Sequence, residues 1–459
     1  MTSILIKNAK AIMTLDAKDT VLTNQNIFIQ DNFIGYIGHE EWTADEVIDG
    51  STMFVYPGLI NTHHHLYQTF TRNLPQVQNL ELFDWLVTLY EIWRGITSEI
   101  VYYSSIVGMG ELLKYGCTTC FDHHYVFPQE NSADFIDQQF LAAEHLGIRF
   151  HASRGSMSRG RSDGGLPPDE LVQSVEDILA DSLRLIEKYH DASPYSMRQI
   201  VLAPCSPFSV TSELMIKTAQ LARKKKVRLH THLAETKDEE EYCLEKFNMR
   251  PLDYMESLGW TGDDVWFAHG IHFNEQELTK LATTQTGIAH CPISNQKLSS
   301  GVAQIPRMLA LGISVGLAVD GSASNDGSNL LAELRAAFLL HRLHSSQKAP
   351  SGYEVLKMAT QGGAKILGRD DLGSLEVGKA ADLFMIDTNR LEYVGAQFDP
   401  KSLLATVGIH RPVDYTIVNG RIVVKNGELC NIDEQEVVKK ANILVQQFIK
   451  AEEELAVSN

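Results

Sequence analysis

The chain has 459 residues, of which 44% are hydrophobic and 21% charged, and its formal net charge is -18. This composition is typical of a globular protein, and the length suits one large barrel with an accessory domain. The negative charge argues against nucleic acid or an anionic membrane as a partner, because both bind basic surfaces. No apolar run is long enough to span a bilayer.

The amino terminus and the cysteines indicate the compartment. Met1-Thr2-Ser3-Ile4 lacks the basic stretch followed by an apolar stretch that is typical of a signal peptide. Cys117 and Cys120 form a C-x-x-C, but no second pair completes a zinc site, and we expect both in a buried strand. The sequence therefore predicts a reduced, cytoplasmic protein.

Both ends of the chain read as short strands separated by turn residues. Ile4-Leu5-Ile6 is an early example, and Val413 to Val418 is a late one that leads into the hairpin signal Asn419-Gly420. The economical arrangement is one small β-sandwich domain built from residues 1–56 and 371–430. Residues 431–459 have helical spacing and predict a carboxy-terminal helix.

The middle of the chain, residues 57–370, alternates strands with helical stretches. Eight strand-then-helix units of this length predict an α/β fold, a (β/α)8 TIM-type barrel. In that fold the active site lies at the carboxyl ends of the strands. The predicted strands end near His65, Asp122, Ser153, Cys205, His232, His269, His290 and Asp320.

The first barrel strand ends in three histidines, in the stretch P-G-L-I-N-T-H-H-H (57–65). Side chains alternate between the faces of a strand, so His63 and His65 point the same way and His64 points the other. Two imidazoles on one face at a strand end suit a zinc-type ion.

Further candidate ligands follow at the ends of later strands. A mononuclear hydrolytic site needs three or four nitrogen or oxygen ligands and an open position for water, and His232 and Asp320 complete such a set with His63 and His65. Such an ion lowers the pKa of a bound water from about 16 towards 7. Glu235, three residues after His232, is placed to donate a proton to the substrate.

Several histidines keep open assignments. His230 shares a strand face with His232 and is interpreted as a core residue, but a one-residue error in register would exchange their roles. His272 and His290 lie near the predicted site without a defined role. His269 is placed to bond the attacked centre or the attacking water.

At these residues the sequence resembles the amidohydrolase superfamily, in the branch of cyclic deaminases with one metal. The resemblance covers essentially the whole chain. It implies that His63, His65, His232 and Asp320 bind one divalent ion, zinc or else iron, and that Glu235, His269 and Asp320 move protons. The matching segments are P-G-L-I-N-T-H-H-H (57–65), H-T-H-L-A-E (230–235), F-A-H (267–269), A-H-C-P-I-S-N (289–295), V-D-G-S-A-S-N (319–325) and L-G-S-L-E-V-G-K-A-A-D-L (372–383).

A finer resemblance concerns the substrate. Within the superfamily, residues 65–75, 83–86, 122–128 and 154–169 resemble 8-oxoguanine deaminases and hydroxydechloroatrazine ethylaminohydrolases, and less closely triazine hydrolases. These enzymes share a flat, nitrogen-rich ring with an exocyclic amine. Gln68, His123 and Arg154 are the candidate substrate-binding residues, with loop anchoring as the alternative for each. Trp85 and Trp93 suit either ring stacking or helix packing.

The resulting prediction is a metal-dependent aminohydrolase that converts 8-oxoguanine to urate and ammonia. The alternatives are guanine, isoxanthopterin or a substituted s-triazine as substrate. A ring-opening cyclic amidase ranks lower, because no lysine stands in Ala203-Pro204-Cys205-Ser206 to bridge two metals. A non-catalytic barrel ranks lowest. The predicted partner is a small nitrogen heterocycle, and the family resemblance also allows a homo-oligomer.

Overall fold

A computed structural model describes residues 3–129 and 132–458, with side chains described as far as residue 450. Short strands fill the amino-terminal segment. They are β1 (Ser3–Ala9), β2 (Ala11–Met13), β3 (Val21–Leu22), β4 (Gln25–Gln30), β5 (Phe33–Gly38), β6 (Glu46–Asp49) and β7 (Met53–Pro57).

The middle of the chain supplies a second set of strands, nearly all separated by helices. The strands are β8 (Leu59–Asn61), β9 (His64–His65), β10 (Cys117–Asp122), β11 (Arg149–Ser156), β12 (Arg198–Pro204), β13 (Arg228–Leu233), β14 (Val265–His269), β15 (Gly287–His290), β16 (Val315–Leu317) and β17 (Asp320–Gly321).

The helices of this region cover the strands on the outside. They are α1 (Leu82–Trp93), α2 (Ser98–Lys114), α3 (Phe135–Leu146), α4 (Val175–Tyr189), α5 (Ser212–Lys225), α6 (Lys237–Phe247), α7 (Pro251–Ser257), α8 (Glu275–Thr284), α9 (Pro292–Lys297), α10 (Ile305–Ala310), α11 (Ser322–Asn325), α12 (Leu330–Ser345), α13 (Gly352–Lys357) and α14 (Gly363–Ile366).

The carboxy-terminal part returns to strands before a last helix. Its elements are β18 (Leu383–Asp387), α15 (Leu403–Thr406), β19 (Tyr415–Val418), β20 (Arg421–Lys425), β21 (Glu428–Leu429) and α16 (Glu434–Ser458). Among the residues described, no helix combines the length and the apolar character that crossing a bilayer requires.

Eight strands form one parallel sheet in the order β16-β15-β14-β13-β12-β11-β10-β8. The first and last strands meet, because the Thr62 amide donates to the Leu317 carbonyl at 3.3 Å and β9 pairs in parallel with β17. In that short ladder Asp320 lies opposite His64. The predicted (β/α)8 barrel is therefore confirmed, and its closure brings the first histidines beside the last aspartate.

Two further sheets lie outside the barrel. One has the strand order β5-β4-β1-β6, and the other has the order β21-β20-β19-β18-β7-β2-β3 and so combines both ends of the chain. A single cluster of buried aliphatic side chains, among them Ile6, Ile27, Val55, Leu383 and Ile417, joins the two sheets. This is the predicted β sandwich.

The hairpin between β19 and β20 follows the local sequence. Asn419 and Gly420 have φ values of 50° and 74°, the left-handed geometry that a two-residue hairpin turn requires. A side chain on Gly420 would also meet the backbone, since a Cβ would lie 1.8 Å from the Asp31 carbonyl oxygen. The Asn-Gly signal thus correctly predicted the turn.

One barrel strand is longer than predicted. β11 runs on to Ser156, three residues past the predicted end at Ser153. Phe150 and Ala152 of this strand pack into the layer between barrel and helices. Because side chains alternate, Arg154 shares their outward direction.

Candidate metal centre and active site

Four predicted ligands meet at the carboxyl end of the barrel. Nε2 of His63 and Nε2 of His65 lie 3.2 Å and 3.3 Å from Oδ1 of Asp320. Nε2 of His65 lies 3.1 Å from Nε2 of His232. All four side chains are buried. The structure therefore brings the predicted ligand set to one point.

Hydrogen bonds fix the tautomers of His65 and His232. Nδ1 of His65 lies 2.7 Å from the His123 carbonyl oxygen, and Nδ1 of His232 lies 2.6 Å from the Cys205 carbonyl oxygen. A carbonyl oxygen only accepts, so each Nδ1 carries the proton and donates it. Burial also holds the pKa of His232 well below its usual range. Each Nε2 therefore turns a lone pair towards the centre.

His63 reaches the same state through a second histidine. Nδ1 of His230 donates to the Trp266 carbonyl oxygen at 2.9 Å, so Nε2 of neutral His230 accepts from Nδ1 of His63 at 2.8 Å. Burial lowers the pKa of His63 to about 3 and keeps the pKa of His230 well below its usual range. Nε2 of His63 is left without a hydrogen-bond donor or acceptor.

These groups fit one divalent cation. Three imidazole lone pairs and one carboxylate oxygen converge, and no proton separates them. Among the described residues, His63, His232, His269 and Asp320 place ligand atoms within 4.8 Å of one another, as do His63, His65, His123 and His232. Buried lone pairs at these distances repel one another unless a cation lies between them. Imidazole and carboxylate ligands suit zinc or iron.

Asp320 is held by its backbone and by two hydroxyl groups. Its φ is 63°, a left-handed conformation that costs a residue other than glycine about 1–3 kcal/mol. Oδ2 accepts hydrogen bonds from Ser294 at 2.5 Å and from Ser324 at 3.1 Å, which leaves Oδ1 facing the histidines.

Glu235 and His269 lie side by side next to the candidate ligands. Oε2 of Glu235 lies 3.5 Å from Nε2 of His269, which is 3.9 Å from Oδ2 of Asp320. Burial, together with the charge of Asp320, raises the pKa of Glu235 well above its usual value. A raised pKa favours the protonated carboxyl group, which is the form that can donate a proton. Nδ1 of His269 is 2.9 Å from Oδ1 of Asn295.

A turn after β13 directs Glu235. Ala234 has a φ of 54°, and the Ala234 and Glu235 amides donate to the two carboxylate oxygens of Glu239 at 2.9 Å and 3.1 Å. Burial raises the pKa of Glu239 to about 7. Glu239 was not predicted from the sequence.

A cavity opens over the centre. Apolar and aromatic side chains form much of its wall, including Leu82, Trp85, Leu86, Tyr125, Phe208 and Leu298. Helix α1 therefore covers the site, and Trp85 faces it, whereas Trp93 bonds Thr71 through its indole nitrogen. A wall of this apolar and aromatic character suits a flat ring.

Gln68 is the one predicted substrate-binding residue that lines this cavity. Its side chain is buried, and neither its amide oxygen nor its amide nitrogen has a hydrogen-bond partner. It packs against Gly321, where a Cβ would lie 1.8 Å from Oε1 of Gln68. The glycine after Asp320 thus leaves room for this amide.

The other two predicted substrate-binding residues do not line this cavity, although a ring nitrogen of His123 lies close to the candidate ligands. Nε2 of His123 donates to the Ala203 carbonyl oxygen at 2.7 Å, and its ring stacks on that of His232 with centroids 4.8 Å apart. The Arg154 guanidinium bonds Asp181 at 2.6 Å and lies 3.9 Å from the ring centroid of Phe127. The structure brings neither side chain to the cavity.

Two histidines without an assigned role, and three polar residues that were not predicted, lie near the candidate ligands. His290 points outward and contacts His341, with their Nε2 atoms 3.1 Å apart, and Nε2 of His272 lies 2.9 Å from the Ser300 carbonyl oxygen. Ser294, Asn295 and Ser324 were not predicted as site residues. They lie within the segments 289–295 and 319–325 that carry the family resemblance, and this position is the signal that points to them.

The fold and the site together define a (β/α)8 barrel with a buried cluster of histidines and one aspartate that could hold a metal ion. The amidohydrolase family matches residues 54–423. The chain is 44% identical to 8-oxoguanine deaminase of Pseudomonas aeruginosa over 437 residues, 94% of this chain and 96% of that protein. It is 41% identical to hydroxydechloroatrazine ethylaminohydrolase of Pseudomonas sp. (strain ADP) over 465 residues, 98% of this chain and 96% of that protein.

Solved structures agree with this assignment. The atrazine chlorohydrolase of Arthrobacter aurescens TC1, crystallised with zinc, superposes with a TM-score of 0.93 at 35% identity, over 96% of this chain and 100% of that one. The protein belongs to the amidohydrolase family, and the predicted family is confirmed. Its named relatives are deaminases and hydrolases.

Proposed function

We propose that this protein is a metal-dependent aminohydrolase that converts 8-oxoguanine and water to urate and ammonia. The observation that carries the proposal is the pair Glu235 and His269, 3.5 Å apart, beside the four converging ligands. A carboxyl group with a raised pKa, next to residues that could hold a hydrolytic metal ion, suits the release of an amine from a ring. The similarity to 8-oxoguanine deaminase supports the choice of ring.

Each residue has a defined part in this reaction. His63, His65, His232 and Asp320 would hold one divalent ion, which supplies Lewis acidity and lowers the pKa of water when bound. Asp320 accepts the proton of the attacking water, and Glu235 donates one to the ring nitrogen next to the attacked carbon. His269 and Asp320 relay a proton to the amine, so that the C–NH2 bond breaks and ammonia leaves. The hydroxyl group that remains on the carbon returns its proton to Glu235 and becomes the carbonyl group.

Substrate recognition is assigned to Gln68 and the aromatic wall. The unpartnered amide of Gln68 offers one donor and one acceptor, the pattern that the edge of an oxopurine complements. Trp85 and Tyr125 provide flat apolar surface. His123 supports His65 through its carbonyl oxygen, and Arg154 supports the strand from outside, so both act on substrate indirectly.

The nearest alternative keeps the reaction and changes the ring to guanine, isoxanthopterin or a substituted s-triazine. The similarity to the ethylaminohydrolase supports a triazine, and a 31% identical isoxanthopterin deaminase supports a pterin. A ring-opening amidase is disfavoured, because β12 ends at Ala203-Pro204 without a lysine.

Further features belong to the same proposal. Zinc is preferred to iron because a similar structure was crystallised with zinc. The barrel domain spans residues 57–370, the sandwich domain residues 1–56 and 371–430, and the terminal helix residues 431–459. All six cysteines are unpaired, which supports a reducing cytoplasmic compartment. A homo-oligomer is proposed by analogy with the family.

A substrate panel tests the proposed reaction. Purified enzyme with measured zinc content is incubated with 8-oxoguanine, guanine, isoxanthopterin and hydroxylated s-triazines, and ammonia is measured together with the ultraviolet spectrum. We expect the highest kcat/KM with 8-oxoguanine and formation of urate. A higher kcat/KM with a triazine or a pterin would replace 8-oxoguanine by that ring, and ring opening without ammonia would refute deamination.

A further inference from the structure

A carboxylate behind the active site has no basic partner. Glu333 lies in the first turn of α12 and is completely buried. Among the described side chains, in residues 3–129 and 132–450, no lysine, arginine or histidine forms an ion pair with it. Burial, with a contribution from the charge of Asp320, raises its pKa well above its usual value. A buried carboxyl group without a cation is costly, so its contacts need an explanation.

Glu333 accepts hydrogen bonds from two separate segments. Oε2 accepts from the Ile293 amide at 3.1 Å, and Oε1 accepts from Nδ2 of Asn325 at 2.5 Å. The same amide nitrogen of Asn325 also donates to the Val319 carbonyl oxygen at 2.7 Å. One side chain therefore joins the segment after β15 to the segment after β16.

Each segment carries groups that hold the acid–base residues. Next to Ile293, the Ser294 hydroxyl donates to Oδ2 of Asp320, and Asn295 bonds Nδ1 of His269. Asp320 follows Val319 directly, so the bond from Asn325 anchors the backbone at the base of its left-handed turn. Glu333 therefore contacts Ile293, which stands just before Ser294 and Asn295, and Asn325, which bonds the residue before Asp320. It touches neither Asp320 nor His269 itself.

We propose that Glu333 is a positioning residue that sets the orientation of Asp320 and His269 by clamping α9 to the segment 319–325. The kinetic part of this inference rests on the proposed function, whereas the metal-ligand part does not. A carboxylate is needed because both of its oxygens face donors. A glutamine would place its NH2 group against either the Ile293 amide or the Asn325 amide nitrogen, so one contact would become repulsive.

The test compares Glu333→Gln with a matched variant, Glu277→Gln. Glu277 is also buried, lies in the first turn of a helix and accepts a hydrogen bond from the Asn274 amide. Unlike Glu333, it forms an ion pair with Arg250. Both variants are prepared with zinc and, separately, with Co²⁺ in place of zinc. The measurements are kcat, KM, zinc affinity by competition with a chelating dye, and the visible absorption of the Co²⁺ protein.

We expect Glu333→Gln to lower kcat about 10- to 100-fold with KM unchanged, the loss typical of groups that orient metal ligands. Its Co²⁺ spectrum should change because Asp320 moves. Glu277→Gln should lose thermal stability but keep kcat and the Co²⁺ spectrum. Equal kcat and equal spectra in Glu333→Gln and the wild type would overturn the proposal, and so would equal losses in both variants.

A second variant tests the same contact if Glu333→Gln folds poorly. Asn325→Ala removes one of the two contacts at a half-buried position, and we expect a smaller loss of kcat with a spectral change in the same direction. An unchanged kcat and spectrum would refute the clamp. If no ring in the panel is deaminated, the proposed function fails, but zinc affinity and the Co²⁺ spectrum still decide the role of Glu333.

Discussion

The Nε2 atoms of His65 and His232 lie 3.1 Å apart, and neither carries a proton. Both Nδ1 atoms donate to backbone carbonyl oxygens, so the two Nε2 lone pairs face each other in a buried site. Oδ1 of Asp320 adds a third electron-rich atom 3.3 Å from His65. The protein thus builds a site whose internal repulsion a divalent cation relieves.

Metal removal should therefore cost both activity and stability. We expect treatment with dipicolinate to abolish turnover and to lower Tm, because an ion that binds only the folded state stabilises it by mass action. One equivalent of Zn²⁺ should restore both. Zinc content by mass spectrometry and Tm by scanning calorimetry measure the effect. Full activity in protein shown to contain no metal would contradict the site.

Glu235→Gln should separate metal binding from proton transfer. Glu235 lies next to His269 but is not one of the four ligands, so we expect one equivalent of zinc and a kcat about 10²- to 10⁴-fold lower, the usual loss of a general acid. The control is Glu241→Gln, an exposed position on α6. Retention of wild-type kcat by Glu235→Gln would show that another group donates the proton.

His230→Phe tests the bond between His230 and His63. The phenyl ring keeps most of the volume but cannot accept the proton of Nδ1 of His63, so His63 loses the partner that fixes its tautomer. We expect zinc affinity to fall about 10- to 100-fold. His290→Phe, at an equally buried histidine that contacts His341, should leave zinc affinity unchanged. Equal affinities in the two variants would reject this role.

Gln68→Leu should improve stability and impair catalysis. Both polar atoms of the Gln68 side chain are buried without partners, at a cost of about 1–3 kcal/mol, so their removal should raise Tm. Two lost bonds to the ring should lower kcat/KM about 10- to 100-fold. Steady-state kinetics and calorimetry on one preparation give both numbers. A lower Tm with unchanged kcat/KM would make Gln68 a structural residue.

Arg154→Lys should lower stability without affecting substrate binding. Lysine loses both the flat stacking on Phe127 and the fork-like contacts to Asp181 and Gln173, so Tm should fall. KM should stay the same, because Arg154 does not line the cavity. A large rise in KM without a change in Tm would restore Arg154 as a substrate-binding residue.

Much of the site was accessible from local pattern. His63, His65, His232 and Asp320 stand at strand ends, and period-two alternation predicted which of them face inward. The ends of the strands were predicted less accurately, to within a few residues. Placing the end of β11 at Ser153 rather than Ser156 made Arg154 appear to lie at the barrel rim, whereas it lies within the strand and points to the helices.

The sequence by itself determined the (β/α)8 fold and indicated four candidate ligands, because both depend on residue spacing along a few turns or strand positions. Only the tertiary structure decided which nitrogen of each histidine faces the metal centre. That choice depends on carbonyl oxygens of Cys205 and Trp266 and on the ring of His230, which reach the ligands only when the barrel closes. The burial that raises the pKa of Glu235 arises in the same way, since desolvation is a property of the packed site.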